Sequence, residues 1–401
     1  MLEVVLYDRA AWREHLLPFV YTRPVGDLRV GILTLREKWQ LFLEASSSFY
    51  TSSYLTQKFQ APGQADVYLA IRANICPSLE LVQALKQLEE GSVLLRGTEW
   101  IAYKIAIWDD ERIISKLKKV MFHGEVEQIR YLEDIFLKNR VQLGIDYVLL
   151  TEGKTSALID NSNVLFGDQL FVGEGVDMKC CTLNTTEGPI YIDDGAILEE
   201  GAHLKGPISI GRNARVKMGT RLYSNVTIGP GATVGGEVNN TVMWGDCAKG
   251  HDGYLGCAVI GEGCNIGAGS SNSNLQNNWS AVKVYDYGVG GWRSTGITKV
   301  GTFMGDFSMC GINSSITTGC VIGVGAQVAM SNIIPKFVAD FSWITDQKKE
   351  AYDWRKFETM MHARAALKRG DFDAGHTMVL AEVFQITAQE REKFISTKTK
   401  K

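Results

Sequence analysis

The densest group of side chains able to do chemistry lies in two short stretches of the second half of the chain. The first reads KGHDGYLG over residues 249–256, and the second reads IGEGCNIGAGSSNSNLQNN over residues 260–278. His251 is the main candidate because a neutral imidazole facing a groove can take a proton from an attacking amine or hydroxyl, as acyl transfer from a thioester requires. A histidine that is merely hydrogen-bonded in a tight corner of the chain is the alternative interpretation.

These stretches interrupt a regular repeat of apolar residues, and the repeat identifies the elements that position them. Every sixth residue between 192 and 234 is aliphatic, namely Ile192, Leu198, Leu204, Ile210, Val216, Leu222, Ile228 and Val234. A period of six fits neither an ordinary strand nor an amphipathic helix. It is typical of a hexapeptide β-solenoid, in which stacked coils bury the repeated position. The interval is lost through 270–299, so we expect this segment to loop out of the stack and to contribute to a binding site.

The repeat and the polar motif together resemble the left-handed parallel β-helix of hexapeptide acyltransferases. They are similar in particular to the acetyltransferase half of the bifunctional UDP-N-acetylglucosamine diphosphorylase and glucosamine-1-phosphate N-acetyltransferase family. The run H-D-G-Y-L-G is followed by Asn265 nine residues after Gly256 and by Asn274 nine residues after Asn265. The resemblance implies that His251 is the general base, that Tyr254 lies on the substrate side, and that Asn274 orients or polarises a reacting group.

The same resemblance implies the co-substrate and the assembly. Small residues of NIGAGS leave room for acetyl-CoA, or another acyl-CoA, to lie along the coils. A homotrimer is expected, with the site between adjacent solenoids, so that the 270–299 segment acts on a neighbour's His251.

The chain departs from the family pattern where a phosphate would bind. Leu275 replaces a tyrosine, Ser280 replaces a lysine, and the family's paired lysines correspond to the region of Asn239, Asn240 and Thr241. A phosphate needs paired positive charge, so these losses weaken glucosamine 1-phosphate as the acceptor and leave another amino sugar or sugar phosphate. The family's phosphate-binding arginine falls near Tyr223. The predicted substrate-binding residues are therefore Arg215, Lys217, Arg221, Tyr223 and Asn265.

The N-terminal half alternates short apolar runs with helical patterns, which predicts a Rossmann-like α/β domain. Residues 21–39, YTRPVGDLRVGILTLREKW, resemble a rearranged sugar nucleotidyltransferase signature. That resemblance implies that Arg23, Arg29 and Lys38 bind the phosphates of UTP or dTTP and that Asp27 contacts Mg²⁺. No glycine precedes Thr22, so the loop of backbone N–H groups that cradles phosphate is missing. The alternative is that the three cations pair with Asp8, Asp27 and Glu37 on a solvated face.

We therefore predict three parts: a short nucleotidyltransferase-like α/β domain over 1–150, a β-helix over 151–335, and a helical tail over 336–401. Pro335 is expected to end the solenoid because proline cannot donate to a β-ladder. The tail is expected to cover the open end of the coil stack.

Composition narrows the classes of function. The 401 residues carry a formal net charge of -3, which gives no general attraction to nucleic acid. No apolar run approaches the ~18 residues of a membrane span, and the N-terminus lacks the pattern of a signal peptide. Eight cysteines without paired CxxC spacing predict free thiols in a reducing cytoplasm. Only His203 and His251 fall in the coils, which argues against a three-histidine zinc site, and we predict no metal ligands there.

Two functions remain. One is a transferase of sugar-nucleotide metabolism that acylates an amino sugar or sugar phosphate, with nucleotidyl transfer in the N-terminal domain as an additional activity. The other is a non-catalytic sugar-nucleotide-binding or scaffold protein, which explains the missing glycines and lysines directly.

Overall fold

A six-stranded mixed sheet forms the N-terminal domain in the computed structural model, which describes residues 2–368 and 372–397. The elements are β1 (Leu2–Tyr7), α1 (Leu35–Leu43), β2 (Ser47–Tyr50), β3 (Val67–Arg72), α2 (Leu79–Gln87), β4 (Ser92–Arg96), β5 (Glu99–Ile105), β6 (Lys118–Met121) and α3 (Leu132–Thr151). The strand order is β2-β1-β3-β5-β4-β6, with β5 antiparallel to both β3 and β4. The predicted α/β class of this half is confirmed.

Local sequence explains where these helices begin. Thr34 accepts a hydrogen bond from the Glu37 backbone while the Glu37 side chain accepts from the Thr34 backbone, a reciprocal cap that starts α1. The Ser78 side chain caps α2 in the same position. Both caps satisfy backbone N–H groups that the first turn of a helix leaves without partners.

A parallel β-solenoid follows. The strands of this part of the chain are β7 (Val164–Phe166), β8 (Leu170–Val172), β9 (Asp177–Met178), β10 (Thr182–Asn184), β11 (Ile190–Ile192), β12 (Ile197–Leu198), β13 (His203–Lys205), β14 (Ile208–Ile210), β15 (Arg215–Val216), β16 (Arg221–Leu222), β17 (Val226–Ile228), β18 (Thr233–Val234), β19 (Glu237–Met243), β20 (Ala248–Lys249), β21 (Tyr254–Ile260), β22 (Asn265–Ile266), β23 (Ser271–Asn272), β24 (Lys283–Asp286), β25 (Gly291–Ser294), β26 (Thr302–Met304), β27 (Met309–Cys310), β28 (Ser315–Ile316), β29 (Cys320–Ile322), β30 (Gln327–Ala329), β31 (Ile333–Ile334), β32 (Phe337–Val338), β33 (Ser342–Thr345) and β34 (Lys349–Ala351). Three of them are not part of the parallel stack: β24 and β25 form an antiparallel hairpin, and β34 pairs antiparallel with β33.

The coils have three faces. The first face runs through β10, β13, β16 and the starts of β19 and β21, and continues through β23, β28 and β31. The second runs through β11, β14, β17, the ends of β19 and β21, then β26, β29 and β32. The third runs through β12, β15, β18, β20, β22, β27, β30 and β33.

The six-residue row lines the interior of this stack, as the sequence predicts. All eight of its members between Ile192 and Val234 are 2% exposed or less. Consecutive members belong to consecutive faces, because Ile192, Leu198 and Leu204 lie on β11, β12 and β13. The predicted β-helix is confirmed.

The prediction that Pro335 ends the solenoid is wrong. β32 pairs in parallel with β29, and β33 pairs in parallel with β30, so coils continue to Thr345. Pro335 lies between β31 and β32, where no ladder needs its missing N–H, and its carbonyl accepts from the Cys320 thiol at 3.3 Å. The helical tail begins only at α4 (Trp354–Lys368), followed by α5 (Ala374–Ile386) and α6 (Ala388–Ser396).

The N-terminal domain packs on the second face of the solenoid. The ring of Phe19 lies 4.8 Å from that of Trp244 and 6.5 Å from that of Phe303, while Phe136 of α3 stacks on Phe303. All four side chains are buried. The two folds therefore share one apolar core, which fixes α3 against the coils that carry the polar motif. No helix of the described residues is both long and apolar enough to cross a bilayer.

Candidate functional site

His251 lies at the corner between the third and first faces, between β20 and β21, and its side chain is exposed. Within the described part of the chain, its imidazole makes no hydrogen bond. Its backbone carbonyl is held from inside the coil by the ammonium of Lys249, at 2.8 Å. The structure therefore differs from the alternative interpretation, in which the imidazole is hydrogen-bonded within the corner of the coil. The ring is available to an external molecule.

Lys249 is a buried residue that the sequence analysis missed. It is opposite Val234 in the ladder, so it occupies an inward position of the apolar row, and it is 2% exposed. Its ammonium donates to the carbonyls of Gly235 at 2.9 Å and of His251. Burial lowers the pKa of Lys249 to about 8, against which nearby Asp252 acts to raise it. The signal in the sequence was the break in the row at position 249, where a lysine replaces an aliphatic residue.

Tyr254 and Asn274, which the family resemblance groups with His251, are brought together. The Asn274 amide donates to the Tyr254 hydroxyl at 3.0 Å and to the Cys257 sulfur at 3.4 Å. Burial raises the pKa of Tyr254 above its usual value, so the phenol stays protonated at neutral pH. The Tyr254 ring lies over Gly256, where an added Cβ would stand 2.2 Å from the hydroxyl, so a larger residue there would displace the ring.

Asn272 replaces the apolar residue of the next coil on the first face. Its side chain accepts from the Gly256 N–H at 2.8 Å and donates to the Gly256 carbonyl at 2.9 Å. The Asn272 side chain therefore makes the two hydrogen bonds to the Gly256 backbone that a neighbouring strand would otherwise make, and it does so directly beside Tyr254. Asn265, also predicted to bind substrate, lies exposed on the third face opposite Ala248 and is not part of this cluster.

The predicted cations separate onto two faces. Arg221 and Tyr223 lie exposed on the first face and line a cavity of about 240 Å³ together with His203, Lys205 and Asn184. His203 and Lys205 were not predicted for this site. They are found only once β13 and β16 are paired, because His203 is then opposite Arg221.

Arg215 and Lys217 lie on the third face, where both pair with Glu199, at 3.3 and 2.6 Å. The lysine bond holds the pKa of Glu199 below its usual range. Both cations therefore pair closely with the same acid. Arg221 is less tightly paired, because its distance to the Glu237 carboxylate is 3.9 Å. Four substrate-binding residues were predicted in the coils that precede His251, namely Arg215, Lys217, Arg221 and Tyr223. Of these, Arg221 and Tyr223 line the cavity.

A larger groove of about 690 Å³ continues along the first face above Tyr254. Its walls combine uncharged polar side chains of β23, β28 and the residues that follow them with the apolar side chains of Leu275, Ile316 and Ile333, and Lys336 also lines it. Ser273 and Thr318, both in the lining, are hydrogen-bonded to each other at 2.8 Å. The early part of the predicted loop, including Leu275, thus lines a groove beside Tyr254.

The rest of the 270–299 segment has a different role from the one expected. It forms the β24–β25 hairpin, whose Asp286 carboxylate is bonded to His15 at 2.9 Å and to Arg293 at 2.7 Å. Arg293 in turn makes a two-pronged bond with Glu133 of α3, at 2.8 Å on both oxygens. The hairpin therefore ties the N-terminal domain to the solenoid within a single chain.

Arg23, predicted to bind nucleotide phosphate, is buried between the domains. Its guanidinium bonds the Asp306 carboxylate and, at 2.8 Å, that of Glu262, both from the solenoid. Burial lowers the pKa of Arg23, but the two carboxylates raise it by more than burial lowers it, so Arg23 stays charged. Asp27, predicted to contact a metal, pairs with Arg36 at 3.0 Å. No group of three or more acids, histidines and cysteines able to hold a metal occurs in the described residues.

The other two predicted phosphate ligands are also engaged. Lys38 is completely buried and paired with Asp146 of α3, whose second oxygen accepts from the Ile32 and Leu33 backbone. Arg29 bonds the Ile32 carbonyl and lies 3.7 Å from Glu37. The three cations do pair with acids, but not mainly with the local acids of the alternative interpretation. Arg23 and Lys38 pair with acids from distant parts of the chain, and these pairs are buried rather than solvated. The three cations share no common acceptor.

The segment after β1, where a phosphate-binding loop would lie, is apolar and packed. Leu16, Phe19, Val20 and Val25 are fully buried, and the Val25 N–H is used by Asp8 at 2.7 Å. Backbone amides that are consumed inside the protein cannot cradle a phosphate. This segment docks the domain on the solenoid instead.

Comparison with known proteins supports the predicted resemblance. Residues 4–155 match the family model described as sugar nucleotidyl transferase. A protein of Sulfurisphaera tokodaii named bifunctional sugar-1-phosphate nucleotidylyltransferase/acetyltransferase is 36% identical over 109 residues, which are 27% of this chain and 26% of that protein. The bifunctional protein GlmU of Acinetobacter baumannii is 32% identical over 196 residues, 46% of this chain and 35% of the relative. The matches thus span about a quarter to a third of the curated relatives.

Several solved structures align loosely with the chain. The UDP-N-acetylglucosamine acyltransferase of Arabidopsis aligns with 61% of this chain and 85% of its own, at 15% identity and a TM-score of 0.29. A hexapeptide transferase family protein from Anaplasma phagocytophilum aligns with 46% of this chain and 93% of its own, at 18% identity and a TM-score of 0.17. Superpositions this loose carry no conclusion about this chain.

Proposed function

We propose that the solenoid transfers an acyl group from a coenzyme A thioester to an amino sugar or sugar phosphate, with His251 as general base. The observation that carries this proposal is the exposed imidazole of His251, whose backbone carbonyl accepts from Lys249, at the corner just before the hydrogen-bonded pair Tyr254 and Asn274. The similarity to proteins named as acetyltransferases supports it.

The reaction balances on these groups. His251 removes a proton from the acceptor amine or hydroxyl as that atom attacks the thioester carbonyl carbon. A carbon–nitrogen or carbon–oxygen bond forms, the carbon–sulfur bond breaks, and the imidazolium returns the proton to the leaving thiolate. The protonated Tyr254 phenol and the Asn274 amide supply hydrogen bonds that orient the acceptor or stabilise the developing oxyanion.

The acceptor is proposed to lie along the first face. Arg221 is opposite Glu237, and Glu237 is opposite Tyr254, so Arg221 and Tyr254 are two strand spacings, or about 10 Å, apart. A phosphorylated sugar can bridge this interval with its phosphate at Arg221. Lys205 pairs with Glu187 at 2.6 Å, so it joins the phosphate only by exchanging that carboxylate for it. Glu237 between them accepts hydrogen bonds from hydroxyl or amino groups and repels a second phosphate.

The test is release of the coenzyme A thiol from acetyl-CoA in the presence of a panel of amino sugars and sugar phosphates. We expect His251→Ala to abolish release, whereas His203→Ala, at the other exposed coil histidine, leaves measurable turnover. If sugar nucleotides bind but no acceptor yields thiol, the protein is a non-catalytic sugar-nucleotide-binding or scaffold protein. Equal turnover by wild type and His251→Ala would remove His251 from the mechanism.

Nucleotidyl transfer in the N-terminal domain is the second candidate, favoured by the match over residues 4–155. The buried pairing of Arg23 and Lys38 with acids opposes it, because phosphate binding would have to break both pairs. We therefore propose that this domain has a structural role. Pyrophosphate release from UTP or dTTP with a sugar 1-phosphate and magnesium would contradict this view.

A further inference from the structure

A chain of amide hydrogen bonds leads from the N-terminal domain toward the proposed site. It begins at Asn139 of α3, which is completely buried. The Asn139 side-chain oxygen accepts from the Gly31 N–H at 2.7 Å and from the Thr227 hydroxyl at 3.1 Å. Its amide nitrogen donates to the oxygen of Asn225 at 3.1 Å.

The chain then rises along one corner of the solenoid. The Asn225 amide donates to the oxygen of Asn240, and the Asn240 amide donates to the sulfur of Cys257 at 3.4 Å. Asn274 donates to the same sulfur from the other side and to the Tyr254 hydroxyl. We call Asn139, Asn225, Asn240, Cys257 and Asn274 the amide relay.

Backbone geometry places these side chains in a column. Asn225, Asn240 and Cys257 have φ values of 62°, 49° and 50°, in the left-handed region. The residues that follow them, Val226, Thr241 and Ala258, are in register on the second face. Asparagine tolerates this conformation, but cysteine rarely adopts it, so a strained residue stands where the column meets Tyr254 and Asn274.

The relay has a direction. Because the Gly31 N–H can only donate, it must face the Asn139 oxygen, and the Asn139 amide nitrogen therefore points toward Asn225. Asn225 then presents its own amide to Asn240, and Asn240 presents its amide to the sulfur. Hydrogen bonds arranged in one direction polarise and strengthen one another.

We propose that the amide relay is a positioning device, through which the N-terminal domain fixes the side chains of Asn274 and Tyr254. Asn139, Asn225 and Asn240 are then positioning residues. The consequence for acyl transfer rests on the proposed function, whereas the relay itself does not. It gives the N-terminal domain a role at the solenoid site that requires no nucleotide turnover.

The decisive variant is Asn139→Asp. It keeps the acceptor for the Gly31 N–H but removes the amide donor to the Asn225 oxygen. The Phe136 carbonyl still accepts from the Asn225 amide at 2.9 Å, so Asn225 does not reverse but loses one of the bonds that hold it against Asn240. Cys257 is buried, and iodoacetamide reaches its sulfur only when the side chains around it move, so a less firmly held Asn240 makes its alkylation faster. Networks of this kind transmit effects of about 2- to 30-fold, and we expect an increase in that range. The rate is read at residue 257 by mass spectrometry in a Cys180→Ser background, since Cys180 is exposed.

Gln142→Glu is the matched control. Gln142 lies three residues further along α3, is also buried, and bonds Glu127 rather than the relay. Its replacement adds a buried carboxyl group to the same helix and places it against the Glu127 carboxylate, so it perturbs α3 at least as strongly as Asn139→Asp while leaving the hydrogen bonds of the relay in place. We expect its Cys257 alkylation rate to stay within about twofold of wild type.

Asn139→Ser is the second variant, because a buried carboxyl group at position 139 can retain its proton and donate it to Asn225, whereas the shorter serine side chain removes that donor without adding charge. In acyl transfer, the Asn139 variants are expected to lower kcat by about 2- to 30-fold at a nearly constant KM for acetyl-CoA. Wild-type Cys257 alkylation in both Asn139 variants would overturn the proposal. If the wild type shows no acyl transfer, the proposed function fails, and the alkylation rates alone decide whether the relay exists.

Discussion

Replacing Lys249 with methionine removes the buried ammonium beneath His251 while keeping a long apolar side chain in the coil. The lysine has two effects on stability: the free energy of burying its charge, and the hydrogen bonds that it donates to the carbonyls of Gly235 and His251. Comparing Lys249→Met with wild type at two pH values separates them. The first effect depends on pH in a manner that can be worked out from the structure.

The folded-state pKa of Lys249 is about 8, lowered from 10.5 chiefly by burial. Between these values the unfolded chain binds more protons than the folded one, so folding becomes more favourable as pH rises through that window. One pKa unit corresponds to about 1.4 kcal/mol, and the gain from pH 7 to pH 9.5 is about 2 kcal/mol. The variant lacks this gain.

The free energy of unfolding is measured by urea titration, followed by circular dichroism, at pH 7 and pH 9.5. The stability of wild type relative to Lys249→Met should increase by about 2 kcal/mol between the two pH values. Lys217→Met, at a partly exposed lysine of the same face, should show no comparable change. A difference between wild type and Lys249→Met that is the same at both pH values would refute the argument.

Three further predictions concern the core and the domain interface. Burial raises the pKa of Asp340 to about 6, so the folded state binds this proton more tightly than the unfolded chain does, and the stability of wild type should fall as the pH rises from about 4 to about 6. In Asp340→Asn the melting temperature should depend less on pH across that window, and an unchanged dependence would contradict this. Trp244→Ala should cost about 3–5 kcal/mol in urea unfolding because it empties the space beside Phe19, and a loss below about 1 kcal/mol would show that the interface is dispensable. Arg23→Met leaves the Asp306 and Glu262 carboxylates without their cation and should cost about 3–5 kcal/mol by the same assay; wild-type stability would mean that the carboxylates find other partners.

The solenoid could be predicted because its row of apolar residues is a local, periodic signal. Each coil must bury one aliphatic side chain per face, so the pattern survives in the sequence wherever the stack is regular. The end of the stack could not be predicted from Pro335, because the cost of proline depends on whether a neighbouring strand needs its N–H. That depends on the three-dimensional position of the residue and not on its type.

Cation roles were the least predictable part. Arg23 and Lys38 carry the right charge for phosphate, but their acids, Asp306 and Asp146, lie more than a hundred positions away in the chain. Only the docking of α3 and of the solenoid on the N-terminal segment reveals these pairs. The same holds for His203 and Lys205, which join Arg221 only through strand pairing.

Tyr254 and Asn274 show the opposite case. Their spacing within a family motif was enough to group them, and the structure places their side chains in contact. Lys249 was overlooked because a lysine inside an apolar row was interpreted as a break in the repeat and not as a buried residue with its own partners.

The most direct test of the account measures coenzyme A thiol release from acetyl-CoA, with amino sugars and sugar phosphates as acceptors, for wild type, His251→Ala and His203→Ala. If His251 is the general base, wild type and His203→Ala release thiol in the presence of the acceptor, and His251→Ala releases none. Release that persists in His251→Ala, or that is absent from wild type with every acceptor, would contradict the claim that this corner of the solenoid carries out acyl transfer.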